Sequence, residues 1–242
     1  MAPATTPLCR TLLAVGLAIA LVLTAVATAP AAGRVAPAIQ ELATLSHDTG
    51  AFQAPDPSSG RVTELSDVRP ITAERTVLPI IGHAAGPRGL RWVEVLLPGR
   101  PNGHTGWIRR RATTESITRW RLTISLSMRT VTVFYAGRAV RTLLAVVGKP
   151  STPTPTGRFF VEETVAMGPQ QSGAPYALAL SARSDALREF DGGPGQIALH
   201  GVENIGGIPG TAASHGCIRL ATPGITWLAA RVPPGVPVMI VR

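Results

Sequence analysis

The chain has 242 residues, room for about one or two domains at about 100 to 200 residues each. Lys and Arg outnumber Asp and Glu by 23 to 14, and Lys149 is the only lysine, so nearly all the positive charge is guanidinium. Such a surface attracts polyanions, yet no zinc-finger spacing and no aromatic-interleaved basic run points to nucleic acid, which leaves an acidic polymer, an anionic lipid, or simply an arginine-rich composition.

Arg10 precedes an apolar run from Thr11 to Val26, followed by the small residues Ala27-Thr28-Ala29 and Pro30-Ala31-Ala32. This is the pattern of a secretory signal peptide over residues 1–33. The rival is an uncleaved anchor, since the apolar stretch approaches the about 20 residues a spanning helix needs. Cys9 lies before the apolar run and leaves with a cleaved signal. Cys217 is then the one cysteine of an exported protein, unable to form an internal disulfide, and a leftover cysteine there is either a small buried hydrophobe or a reactive thiol.

Residues 34–60 contain Ala36-Pro37 and Gln53-Ala54-Pro55-Asp56-Pro57-Ser58-Ser59-Gly60 and read as a linker with one short helix. From 61 to 114 the pattern is short strands cut by turns. Thr76 to Ile81 and Leu90 to Leu97 are β-branched apolar runs, and Pro98 to Gly103 is a turn cluster leading into Gly106-Trp107-Ile108. This predicts a small all-β module that resembles bacterial SH3-like domains, with Trp107 in its core.

Leu122, Ile124 and Leu126, then Val131, Val133 and Tyr135, alternate with polar residues, and a turn at Tyr135 to Arg138 leads into Ala139 to Val147. The three segments predict a meander. Gly148 to Gly157 is too proline-rich for a central strand and predicts a stiff loop, after which Arg158 to Val161 resumes a strand. Between 164 and 195 the reading is a strand at Tyr176 to Leu180 and a helical turn at Asp185 to Phe190. The strand Gln196 to His200 delivers His200 at its end. Thr222-Pro223 starts a helix ended by Pro233-Pro234-Gly235, and Val236 to Val241 closes the chain as a strand.

The chemistry gathers between Gln196 and Leu220. A free thiol is only a few per cent thiolate at neutral pH, and a neighbouring imidazole raises its nucleophilicity by taking the proton. Either His215 or His200 can be that base. If residues 215 to 217 were extended, His215 and Cys217 would share a side; a turn at Gly216 would remove that argument. Zinc held by His200, His215 and Cys217 is the rival use of the same residues. Gly216 suits a close approach of substrate to bare backbone.

Ser214-His215-Gly216-Cys217-Ile218-Arg219, preceded by His200-Gly201 and by Val147-Gly148-Lys149 and Thr154-Pro155-Thr156-Gly157-Arg158-Phe159, resembles the catalytic domain of the bacterial L,D-transpeptidases over residues 119–242. Val202 stands where many members have Thr, and Arg219 where some have Asn. The resemblance implies a mainly β fold, an SH3-like β-barrel followed by a β-rich catalytic domain with short helices. It implies Cys217 as nucleophile and His200 as its base, oriented by the carbonyl of Gly201. Ser214, His215 and Gly216 then shape the site, with backbone N–H groups of 215 to 217 facing the oxyanion. Arg219 is a candidate for holding a substrate carboxylate, with a structural salt bridge as its alternative, and Tyr176 for lining the substrate cleft, with a place in the core as its alternative. The implied substrates are peptidoglycan stem peptides, with no cofactor or metal, no nucleic acid and no membrane partner beyond the signal segment. An anionic wall polymer is a further candidate partner. Two other readings stay open: an exported cysteine peptidase of wall peptides, and a wall-binding protein with a degenerate catalytic domain.

Overall fold

The computed structural model describes Met1, residues 38–190 and residues 192–242. The signal peptide expected at 1–33 lies, Met1 apart, outside them. Among the described residues no helix is long and apolar enough to cross a membrane.

Seven strands come first: β1 (Gln40–Leu45), β2 (Thr49–Phe52), β3 (Arg61–Leu65), β4 (Val77–Ala85), β5 (Arg91–Leu96), β6 (Thr105–Arg109) and β7 (Thr113–Thr118). They pair antiparallel in the order β3-β2-β6-β5-β4-β1-β7. Leu45, Leu78, Val93, Val95 and Ile108 fill the core they enclose. The expected linker at 34–60 is corrected by β1 and β2. Residues 40–45 looked like a short helix, but they pair on one side with β4 and on the other with β7, and distant ladder bonds override local pattern. Trp107 is also corrected. Alternation sends Ile108 into the core and leaves Trp107 half-buried on the opposite face.

Nine strands follow: β8 (Trp120–Ser125), β9 (Thr130–Tyr135), β10 (Arg138–Gly148), β11 (Gly157–Ala166), β12 (Tyr176–Arg183), β13 (Gln196–Gly201), β14 (Ala212–Ser214), β15 (Ile218–Leu220) and β16 (Pro237–Val241), with helix α1 (Thr222–Ala229) before the last. The order is β14-β10-β15-β13-β12-β11-β16-β8-β9, and β9 pairs again with β10. The ring therefore closes: β10 spends residues 138–144 on β9 and turns its far end, Ala145 and Val146, to β15. Closure removes open edges. Leu122, Ile124, Val131 and Val133, each 0% exposed, point inward, as their alternation requires. Ile225 and Leu228 of α1 join the same core, and Pro223 opens this helix in its first turn. The helical turn expected at 185–190 is absent; the segment is irregular.

Strand β11 serves both halves. Phe159 faces the C-terminal core and Phe160, on the other side of the strand, fills the core of the seven-stranded module. Beneath them Glu162 is ion-paired at 2.8 Å with Arg69 of the first module and at 3.0 Å with Arg183. Glu163 accepts from the backbone N–H and hydroxyl of Thr72 at 3.1 and 3.0 Å.

Candidate active site

Side chains on β12, β13 and β15 alternate between two faces. Leu178, Leu180, Ile197, Leu199, Ile218 and Leu220 all enter the barrel core. Their alternates are Ala177, Ala179, Ala198, His200, Cys217 and Arg219, so the chemistry-bearing residues share the other face above a floor of alanines. Register pairs His200 with Ala177 on β12 and with Arg219 on β15. One further step along the β13–β15 register sets Cys217 beside Ala198, diagonal to His200 on the neighbouring strand. The thiol leans over β13: its S–H reaches the Gln196 carbonyl at 3.9 Å.

His200 is 8% exposed and its Nδ1 lies 2.8 Å from the carbonyl oxygen of Gly201. A carbonyl only accepts, so Nδ1 carries the proton and the lone pair sits on Nε2. Burial lowers the imidazole pKa, with the Gly201 bond opposing and the Arg219 charge reinforcing the shift. Burial raises the Cys217 thiol pKa, against the Ala198 N–H and Arg219, which lower it. Both shifts favour the neutral form, thiol for Cys217 and imidazole for His200.

His215 is placed differently. It is exposed, its ring stacks on Phe190 with centroids 5.8 Å apart, and Lys149 Nζ donates to its Nε2 at 3.3 Å. An ammonium has only protons to give, so this lone pair is occupied.

The turn carrying the thiol is built by hydroxyls. Ser214, 0% exposed, donates to the Cys217 carbonyl at 2.5 Å and accepts from the Gly216 N–H at 3.1 Å. Thr154 donates to the Gly216 carbonyl at 2.7 Å and accepts from Gly148 N–H at 2.9 Å. Thr152 donates to the Ser214 carbonyl at 3.2 Å. The proline-rich loop is therefore the mould of the turn. Gly216 takes φ +122, a conformation that side chains disfavour. Its N–H is spent on Ser214, which corrects the expectation that three successive N–H groups from 215 to 217 face an oxyanion.

Arg219 is 7% exposed and bonds backbone only, through Nη1 to Gly206 O at 3.1 Å and Ile205 O at 3.4 Å. Its Nε has no partner, and no carboxylate pairs with it among the described residues. Its charge is felt by both His200 and Cys217. Tyr176 stands apart: it alternates with Ala177 and packs against the barrel core, so it is not brought to the face of His200 and Cys217.

Sequence reasoning missed the loop over His200. Gly173, at φ +93, passes so close that a Cβ there would lie 2.4 Å from His200 Nδ1. Gly173 O accepts from the Gly201 N–H at 2.7 Å and Gly173 N–H donates to Glu203 O at 2.7 Å. Asn204 ties this loop to its neighbour, donating to Pro169 O at 2.8 Å and Gln171 O at 3.1 Å. The Gly-Ala-Pro run 173–175 was the only available signal. Lys149 and Phe190 were likewise not read as neighbours of the thiol turn. Among the described residues no three His, Cys, Asp or Glu groups gather as a metal-ligand set, so His200, His215 and Cys217 do not form the alternative zinc site.

Residues 119–240 match the model of the YkuD family, described as the L,D-transpeptidase catalytic domain. L,D-transpeptidase 1 of Mycobacterium tuberculosis is 32% identical over 129 residues, 48% of this chain and 48% of that protein. The putative L,D-transpeptidase YkuD of Bacillus subtilis is 29% identical over 148 residues, 61% of this chain and 74% of that protein. Among solved structures, L,D-transpeptidase 3 of Mycobacterium tuberculosis aligns at 17% identity and TM-score 0.43 over 69% of this chain and 92% of that one. The chain spans about half the length of the first curated relative. With its family model covering residues 119–240 of 242, the chain belongs to the YkuD family of L,D-transpeptidase catalytic domains.

Proposed function

We propose that this protein is an exported, cysteine-dependent L,D-transpeptidase acting on peptidoglycan stem peptides. Cys217 Sγ attacks the carbonyl carbon of the third residue of a tetrapeptide stem while His200 Nε2 takes the thiol proton. The bond to the terminal D-alanine breaks, its nitrogen collects the proton from the imidazolium, and the stem remains as a thioester. The amine of a second stem then attacks the thioester, gives its proton to His200 and returns the thiol. The product is a cross-link between third-position residues.

The observation that carries this reading is the shared face of Cys217 and His200, with Nδ1 fixed by Gly201 O so that Nε2 is the free base. Lys149 on His215 Nε2 favours His200 over His215 in that role. Preorganised N–H donors at an oxyanion are worth about 3 kcal/mol each; here the N–H groups of His215 and Cys217 remain for that task. The Arg219 charge, with no carboxylate partner among the described residues, favours thiolate and a substrate carboxylate alike. Incubation with tetrapeptide stems tests the proposal. Release of D-alanine with formation of stem dimers supports transfer, whereas release with tripeptide alone favours a peptidase.

A further inference from the structure

Between β12 and β13 the described residues 184–190 and 192–195 are irregular, and those from Asp185 to Phe190 are nearly all exposed. The segment closes on itself where Ser184 N–H meets Gly195 O at 2.8 Å and where Phe190 and Gly193 exchange backbone bonds at 3.0 Å. Phe190 stacks on His215 in the thiol turn. So little of the segment is buried that its shape depends on what grips its base.

That grip comes from the seven-stranded module. Arg100, in the turn between β5 and β6, donates to three carbonyls of the segment: Ser184 at 2.7 Å, Pro194 at 3.0 Å and Leu187 at 3.2 Å. Asn102 adds a two-way bond with the backbone of Arg183, donating to its carbonyl at 2.7 Å and accepting from its N–H at 2.8 Å, and it reaches Asp185 at 3.1 Å. Gly99 N–H donates to Ser181 O at 3.1 Å. Gly195, at φ +65, lets the two arms meet beneath the guanidinium, for a Cβ there would lie 2.0 Å from Leu187 O and 3.3 Å from Arg100 Nη2. One planar fork thus ties the start, middle and end of the segment together, a geometry that lysine cannot reproduce.

We propose that Arg100 and Asn102 are positioning residues for the transfer reaction: through segment 184–195 they hold Phe190 against His215 and so fix one wall of the cleft beside Cys217. The first module is then part of the active-site architecture, not only a separate appendage. The proposal rests on the reading of the site as a stem-peptide cleft, but its structural core is testable without that reading.

The full chain is compared with Arg100→Ala, Arg100→Lys, Asn102→Ala, Phe190→Ala and the double variant Arg100→Ala with Phe190→Ala. The expected result is a KM for the stem raised at least about fivefold in Arg100→Ala and Phe190→Ala, with the double variant no worse than either single, as for residues acting as one unit. The rate of Cys217 alkylation by iodoacetamide stays within about twofold, and Arg100→Lys restores the KM only in part. In NMR spectra the ring-current displacement of the His215 signal by Phe190 is lost in Arg100→Ala and in Asn102→Ala. A multiplicative double variant, an unmoved His215 signal, or equal losses of KM, alkylation and melting temperature would each overturn it. If the wild-type chain transfers no stem, the functional reading fails, and the His215 signal alone still decides the positioning claim.

Discussion

His200 donates its Nδ1 proton to the Gly201 carbonyl at 2.8 Å, while the Nε2 of His215 is met by Lys149 at 3.3 Å. Two imidazoles close in sequence to one thiol are thereby given different work. Substituting His200→Ala should lower the rate of Cys217 acylation by stem peptide by about 10²–10⁴-fold, the usual contribution of a general base. His215→Ala should cost much less, because it removes a wall and not the base. Stopped-flow acylation of both variants measures the difference, and equal losses would return the assignment to an open choice.

The pH behaviour follows from burial. The Cys217 thiol is pushed above its ordinary value of 9.0 and the His200 imidazole below 6.5. Alkylation of Cys217 by iodoacetamide should therefore rise with an inflection above the ordinary thiol range, while transfer should persist below the ordinary imidazole range. Arg219→Met removes a charge that lowers both values, so it should move the alkylation inflection still higher. Stability has the matching sign: His200 binds its proton more weakly folded than unfolded, so its contribution is present above 6.5 and is lost as pH falls through the lower folded value. A pH series of alkylation rates on the two proteins is the check.

Gly173→Ala places a methyl group at 2.4 Å from His200 Nδ1 on a backbone of φ +93. The backbone strain alone costs about 1–3 kcal/mol, and a displacement of the imidazole of order 1 Å costs about 10² in rate. The expected outcome is a folded protein with kcat reduced by about that factor and an unchanged alkylation rate at high pH, where Cys217 needs no base. Retention of full kcat would show that the loop does not set the ring.

Thr154→Val removes the hydroxyl that joins the Gly148 N–H to the Gly216 carbonyl while keeping the shape. Each backbone group left unpaired costs about 1–3 kcal/mol. With two such groups, urea unfolding should show a loss of about 2–6 kcal/mol, together with slower acylation as the thiol turn loosens. Ser214→Ala, which frees Gly216 N–H and Cys217 O, should do the same.

Much of this arrangement is visible in the sequence. Alternation at Leu122, Ile124, Val131 and Val133 marks the meander, Thr222-Pro223 marks the helix, and the apolar run Gln196 to His200 marks the strand that delivers His200 at its end. These features rest on local period or local capping. What escaped does not. Gln40–Leu45 becomes a strand only because β4 and β7 bind it, from far along the chain. The segment 184–195 has no period, and it is shaped by Arg100 and Asn102 from another module. Tyr176 reads by type as either a cleft or a core residue, and only the register that puts Ala177 beside His200 sends it to the core side. Gly173 has no side chain to advertise its place on the imidazole.

The central claim is that Cys217 carries the stem as a thioester formed with loss of D-alanine. Intact-mass analysis of the full chain mixed briefly with tetrapeptide stem measures this directly. The account predicts an adduct equal to the stem less D-alanine, mapped to Cys217 and absent in Cys217→Ala. D-alanine release that persists undiminished in Cys217→Ala, or release without any adduct on the thiol under rapid quenching, would contradict it.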